Sequence, residues 1–264
     1  MKALSKQPVK AVPISDQPVV IVTGGGRGIG KATCIKAASS GFTVIVNYRA
    51  NTVAAESVVR QIQAMGGRAK AIRADISSEA SVRRMFKTAE RAFGPVSALV
   101  NNAGAVDKRC EGKDIDSNRF DRAIATNLRG PFLCMREAAL AMHRTAHQRK
   151  SGGVIVNVSS YSVETGGAFN HIDYAAAKAG VEAMTVGFAR ELAGTDIRVN
   201  AVAPGTIDTD LSAGIVGAAR SKIEKRIPMG RLGTPDEVAE CIVWLLSPSS
   251  SYITGAVVPV NGGR

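Results

Sequence analysis

No CxxC pair occurs in this sequence; its four cysteines, Cys34, Cys110, Cys134 and Cys241, lie scattered along 264 residues. That removes any cysteine framework for a metal and suits a reducing compartment, so a cytoplasmic protein is expected. Nor does any uninterrupted apolar run approach the roughly 20 residues that a membrane helix needs. The opening "MKALSKQPVKAVPISDQP" lacks the apolar stretch of a secretory signal and reads as a flexible polar lead-in over residues 1–17. Internal repeats, low-complexity tracts and long linkers are missing too, which favours one large domain over residues 18–264.

Acidic residues are the minority: 22 Asp and Glu face 34 Lys and Arg, a formal charge of +12. The basic residues are dispersed and no nucleic-acid recognition motif accompanies them, so a nucleic-acid partner is not expected. The same charge would suit a phosphorylated cofactor or an acidic carrier protein. His143 and His147 stand four apart, a zinc-like spacing, but without HExxH context or a third ligand they read as a surface pair, and no metal is expected. His171 reads as an exposed loop residue, and the cluster "VDKRCEGKD" at 106–114, with Arg129, as solvated charge.

What is present is an alternation. Short, nearly all-apolar runs at "PVVIV", "TVIVN" (43–47), "AKAIRAD" (69–75), "SALVNNAG" (97–104), "GVIVNVSS" (153–160), "IRVNAVAPG" (197–205) and "AVVPVNGG" predict seven strands. Between them lie helical patterns, over about 52–65, 78–93, 118–148 and 174–193, and in "TPDEVAECIVWLLS", where Thr234 and Glu237 form a capping box with Pro235 at the first helical position. Buried strands alternating with amphipathic helices specify α/β architecture: a doubly wound parallel sheet, seven-stranded, with helices on both faces. Ligands of such sheets bind beyond the carboxyl ends of the strands.

The first strand runs into "TGGGRGIG", where Gly24, Gly28 and Gly30 are spaced by four and then two. The spacing is not GxGxxG, but the physical logic holds: glycine allows positive φ and close backbone approach, and the following helix offers free N–H groups to a pyrophosphate. Further on, "DYAAAKAG" puts Tyr174 and Lys178 on one helical face with only small residues between them. A nearby ammonium favours phenolate, so this pairing can bring a phenol with an ordinary pKa of about 10 toward neutral proton transfer.

Together, the glycine turn, "NNAG" (101–104), Asn127 in "TNLRGPF", the serines of "NVSS", "YAAAK" and "PGTIDT" (204–209) resemble the short-chain dehydrogenase/reductase family, in the family's order and over nearly the whole chain. The resemblance implies a single-domain Rossmann fold, a nicotinamide dinucleotide and the interconversion of an alcohol and a carbonyl. It makes Tyr174 the general acid/base and gives Lys178 the tuning of that phenol and a bond to the nicotinamide ribose. It also assigns Asn127 to a relay water and a serine to the substrate oxygen. Many family members place that serine thirteen residues before the tyrosine, which here lands on Tyr161; aligning from the strand instead selects Ser160 over Ser159 and Ser162.

The resemblance further implies cofactor contacts from Thr23, Gly24, Arg27, Gly28, Ile29 and Gly30 in the turn, and from Asp75 and Ile76 beside the adenine. Asn101, Ala103 and Gly104 would line the ribose side, with Pro204, Gly205, Ile207 and Thr209 near the carboxamide and phosphates. NAD-selective members generally carry a carboxylate after the second strand; here Tyr48 and Arg49 stand there, and Arg27 offers a second guanidinium. Two forks for a 2′-phosphate with no competing carboxylate imply NADP(H) over NAD(H).

The substrate expected is a small-molecule or acyl-thioester carbonyl, in the manner of 3-oxoacyl-carrier-protein reductases, with a glucose dehydrogenase-like sugar or polyol enzyme as the alternative. A noncatalytic NADPH-binding regulator is the rival outside catalysis. By the family's habit, a homotetramer is expected to form through helical regions 118–148 and 174–193.

Overall fold

The computed structural model describes residues 17–145, 152–169, 171–210, 212 and 216–264. The N-terminal lead-in up to residue 16, His147 and the last residues of the helix expected to reach 148 lie outside them. Seven strands, β1 (Val19–Val22), β2 (Thr43–Tyr48), β3 (Ala69–Arg73), β4 (Val96–Asn101), β5 (Gly153–Val158), β6 (Ile197–Pro204) and β7 (Val257–Val260), form one sheet in the order β3-β2-β1-β4-β5-β6-β7. Every adjacent pair is parallel. The expected architecture is therefore the observed one. The chain reverses its direction of winding between β1 and β4, and a crevice at the carboxyl ends of the strands follows from that reversal.

The helices are α1 (Gly28–Ser39), α2 (Thr52–Ala64), α3 (Glu79–Phe93), α4 (Ser117–Ile124), α5 (Gly130–Arg144), α6 (Ser162–Thr165), α7 (Ile172–Leu192), α8 (Gly217–Glu224) and α9 (Pro235–Leu246). Residue alternation on β1 sorts them into two layers. Val20 and Val22 belong to a core shared with α1, α2 and α9, whereas Val19 and Ile21 belong to the opposite core, shared with α3, α5 and α7. On α2, Ala55, Val58, Val59 and Ile62 recur on one helical face and are all buried. Val58, Val59 and Ile62 each contribute about 1.5–3 kcal/mol by leaving water.

Local signals set the helix starts. The Asn51 side chain accepts from Ala54 N (2.9 Å), Asp116 from Arg119 N (2.7 Å), and Thr234 closes the expected capping box with Glu237. One expectation needs correction: the region read as a single helix from 118 is interrupted. Between α4 and α5 the chain widens into a π turn, Ala125–Arg129, of the kind that recurs at functional sites. At its centre is Asn127.

Candidate active site

The glycine turn leaves β1 at Thr23, whose buried hydroxyl accepts from the backbone N–H groups of Asn102 and Ala103, both at 3.0 Å, and faces the Val100 carbonyl at 3.3 Å. Thr23 thus braces the "NNAG" segment against the turn. Gly24 and Gly28 have φ of +63° and +50°, which side chains adopt only at a cost. Gly30 is demanded by space instead: a Cβ there would sit 2.3 Å from the Gly24 carbonyl oxygen and 2.5 Å from Asn102 Nδ2. Ile29 packs toward the α1 core.

The first turn of α1 has neither a side-chain cap, Arg27 being the N-cap residue, nor an acidic residue. Its N–H groups and positive dipole end therefore remain free for an anion. Thr209 lies over this end; a Cβ on Gly28 would be 3.4 Å from its methyl group.

At the end of β2, the Tyr48 carbonyl accepts from Ala74 N at 2.9 Å, which brings Arg49 beside Asp75. Burial pushes the Asp75 carboxyl up, but hydrogen bonds from Ser77 and the Arg49 charge outweigh it and leave its pKa below the ordinary value. Arg27 and Arg49 are both exposed. Ile76 is 6% exposed and joins the core, touching the space above Gly130.

Asn101 ends β4. Its amide lies inside the sheet, donating to Asn157 Oδ1 (2.9 Å) and to the Pro131 carbonyl (3.2 Å). The next residue, Asn102, meets the turn, donating through Nδ2 to the carbonyls of Thr23 (2.9 Å) and Gly24 (3.2 Å). Sequence reasoning passed over Asn102, although β4 ending at Asn101 is itself a clue, since the residue beyond a strand's carboxyl end faces the crevice.

The residues expected to do chemistry converge from three elements. α7 carries Tyr174 and Lys178. The Lys178 ammonium, 2% exposed as a residue, donates to the Val158 carbonyl at the end of β5 (2.6 Å) and lies 5.6 Å from the centre of the Tyr174 ring. Ser160, just past β5, lies close enough to the Tyr174 hydroxyl to favour its ionised form. Ser162 donates its N–H to Ser160 Oγ (3.1 Å), whose own hydroxyl lies 3.0 Å from Ser162 Oγ. Ser159 turns away to Glu182 Oε1 at 2.5 Å. Geometry thus favours Ser160 among the three serines.

Asn127, fully buried, accepts from Ala105 N and donates to the carbonyls of Ala105 and Ala123 at 2.9–3.0 Å. A Cβ on Gly104 would come within 3.0 Å of Asn127 Oδ1 and 3.7 Å of Lys178 Nζ, so a glycine is what lets these groups share one space.

In the chain alone, burial pushes Tyr174 up to about 12, against the opposing effect of Ser160. Burial also lowers Lys178 to about 8. Dehydration of the phenolate outweighs the rest. His171, half-buried beside Tyr174, is shifted downward by burial, and its Nδ1 has no hydrogen-bond partner among the described residues.

After β6, a Cβ on Gly205 would be 2.8 Å from Asn261 Cα, so Pro204 and Gly205 are hemmed by the chain's last residues. The Ile207 carbonyl is tied by Ser212 Oγ (2.8 Å), which also accepts from Thr209 N (2.9 Å). Groups of three or more His, Cys, Asp or Glu able to hold a metal ion are absent among the described residues.

A family model described as enoyl-(acyl carrier protein) reductase matches residues 24–264. The chain is a short-chain dehydrogenase/reductase. As a member of that family it is an oxidoreductase that takes a nicotinamide cofactor, and the uncapped α1, the glycine turn and the crevice provide a fitting cradle for one. It is 42% identical over 247 residues to the uncharacterized oxidoreductase YgfF of Escherichia coli K12, covering 93% of this chain and 99% of that protein. It is 39% identical over 246 residues to a cis-4-hydroxycyclohexanecarboxylate dehydrogenase of Sinomonas cyclohexanicum, covering 93% and 95%. Against the 3-oxoacyl-[acyl-carrier-protein] reductase FabG of Staphylococcus aureus the identity is 36% over 243 residues, covering 92% and 96%.

Proposed function

We propose that this oxidoreductase is an NADPH-dependent carbonyl reductase in which Tyr174 is the general acid/base. The observation that carries the reading is the approach of Ser160 to Tyr174 beside Lys178 at the carboxyl end of β5, in the same sheet whose β1 leads into the glycine turn. A bound nicotinamide supplies hydride. Tyr174, protonated throughout the neutral range with a pKa near 12, donates its hydroxyl proton to the carbonyl oxygen as negative charge grows there. Ser160 orients that oxygen, and the Lys178 ammonium stabilises the phenolate left behind. Asn127 anchors a relay that returns the proton from solvent.

Arg27 and Arg49 hold the 2′-phosphate of NADP(H), since both are exposed and the position directly after β2 carries no carboxylate. The FabG likeness supports a 3-oxoacyl-thioester substrate class. Exposed apolar residues on α4 and α5, Phe120 at 43%, Phe132 at 38% and Leu140 at 50%, support assembly of a homotetramer through these helices.

The test is NADPH oxidation against β-keto thioesters, diketones and aldehydes, with Tyr174→Phe as control. Turnover should fall by about 10²–10⁴ in the variant, while NADPH affinity stays within twofold. Tight NADPH binding with turnover of none of these compounds would favour the noncatalytic regulator.

A further inference from the structure

Arg264 folds back onto its own chain. Its guanidinium lies 4.7 Å from the centre of the Tyr161 ring, and Nη1 donates to Thr206 Oγ1 at 3.3 Å. Its carbonyl is tied by Asn261 Nδ2 at 2.5 Å. Tyr161 directly follows Ser160, and Thr206 directly follows the Pro204–Gly205 pair, so the guanidinium bridges the segment that carries Ser160 and the segment that leaves β6. The Tyr161 N–H donates to the Pro204 carbonyl at 2.9 Å, which fixes those segments to each other.

Arg264 is half-buried and its side-chain partners among the described residues are a ring face and a neutral hydroxyl. Asp208, the nearest acid along the Thr206 loop, is already taken by Arg220 at 2.9 Å. A guanidinium set over a ring face, with a neutral hydroxyl as its acceptor and no Asp or Glu paired with it among the described residues, is pre-organised to receive a planar or tetrahedral oxyanion.

We infer that Arg264 is the anion-recognition group of the substrate pocket, selecting carbonyl substrates that carry an oxyanion away from the reacting carbon. This inference rests on the carbonyl reductase reading. Carboxylate and phosphate share the chemistry, and matched pairs distinguish them: 4-oxocyclohexanecarboxylate against its methyl ester, and S-acetoacetyl phosphopantetheine against S-acetoacetyl pantetheine.

In Arg264→Ala, the KM of the charged member of one pair should rise about tenfold or more, the loss expected for one charge-assisted hydrogen bond, with the neutral member moving less than twofold. Arg264→Lys should recover part of the difference. NADPH affinity and melting temperature should match the wild type, which separates this effect from misfolding. Charged and neutral members moving together, or neither moving, overturns the inference. Should none of the four be reduced, the reductase reading fails on these compounds, and calorimetry on the NADPH complex decides the anion site. Cyclohexanecarboxylate or phosphopantetheine binding at least tenfold weaker in Arg264→Ala upholds it; no binding to the wild type, or equal binding, rejects it.

Discussion

Arg119 grips Asp173 with two prongs, Nε to Oδ2 at 2.8 Å and Nη2 to Oδ1 at 3.3 Å, and both side chains are withdrawn from solvent. The same guanidinium reaches the Lys108 carbonyl (2.8 Å) and Cys110 Sγ (2.7 Å), while Asp173 Oδ1 accepts from Tyr174 N (3.0 Å). One charge therefore joins α4, the loop after β4 and the turn of α7 that bears the tyrosine. Arg119→Met leaves a buried carboxylate unpaired, and urea unfolding should show a loss of about 3 kcal/mol. Burial pushes Asp173 up, but the Arg119 bonds prevail and hold its pKa below the ordinary value, so the pair should survive mild acid and fail only as pH falls through that lowered value. A loss under 1 kcal/mol would show that the ion pair does not brace this corner.

Gly30→Ala should abolish cofactor binding and destabilise the fold together. Its methyl group would meet the Gly24 carbonyl at 2.3 Å, and backbone cannot yield there without opening the turn braced by Thr23 and Asn102. Cofactor titration and thermal melting of the variant check this; wild-type affinity would mean that the turn is pliable.

How much of this was legible beforehand varied with the range of the interaction. The strands and the Thr234 cap were, because apolar runs and the Thr234 and Glu237 pair act within a few residues. Tyr174 and Lys178 share a helical face that their spacing already gives, and Ser160 stands near them at the end of β5. The Arg119 to Asp173 bridge was not visible, since its members stand 54 residues apart and neither belongs to a local pattern. The separate placements of Asn101 and Asn102 could not be told apart, because the strand's last residue and the residue after it are both asparagine. The π turn escaped notice because an inserted residue leaves helical periodicity nearly intact. The direction of the Tyr174 shift depended on burial, which helical spacing does not encode.

Arg49→Asp should reverse the charge that the adenosine end of the cofactor meets. NADPH affinity should fall at least about tenfold while NADH affinity holds or improves, since a carboxylate repels the 2′-phosphate but accepts hydrogen bonds from ribose hydroxyls. The new acid would also face Asp75, whose carboxyl Arg49 now helps keep ionised. Fluorescence titration of both cofactors measures the ratio, and an unchanged ratio would leave Arg49 without a part in selection.

Lys178 carries a cost that can be measured without any substrate. Burial lowers its pKa from 10.5 to about 8, so the folded protein holds this proton less tightly than the unfolded chain does. Below pH 8 both states are protonated, and the folded one bears a penalty of about 3 kcal/mol. Between pH 8 and 10.5 the unfolded chain binds more protons, and stability from this group rises with pH. Tyr174, raised to about 12, acts oppositely but only above pH 10, so the window from pH 8 to 10 isolates the lysine. Lys178→Met keeps the length of the side chain and removes the proton. Chemical unfolding of the cofactor-free protein should therefore find the variant's advantage over wild type greatest at pH 7 and shrinking toward pH 10, even as its activity is lost. A difference that stays constant across that window would mean that the ammonium is not desolvated, and that its bond to the Val158 carbonyl fully replaces water.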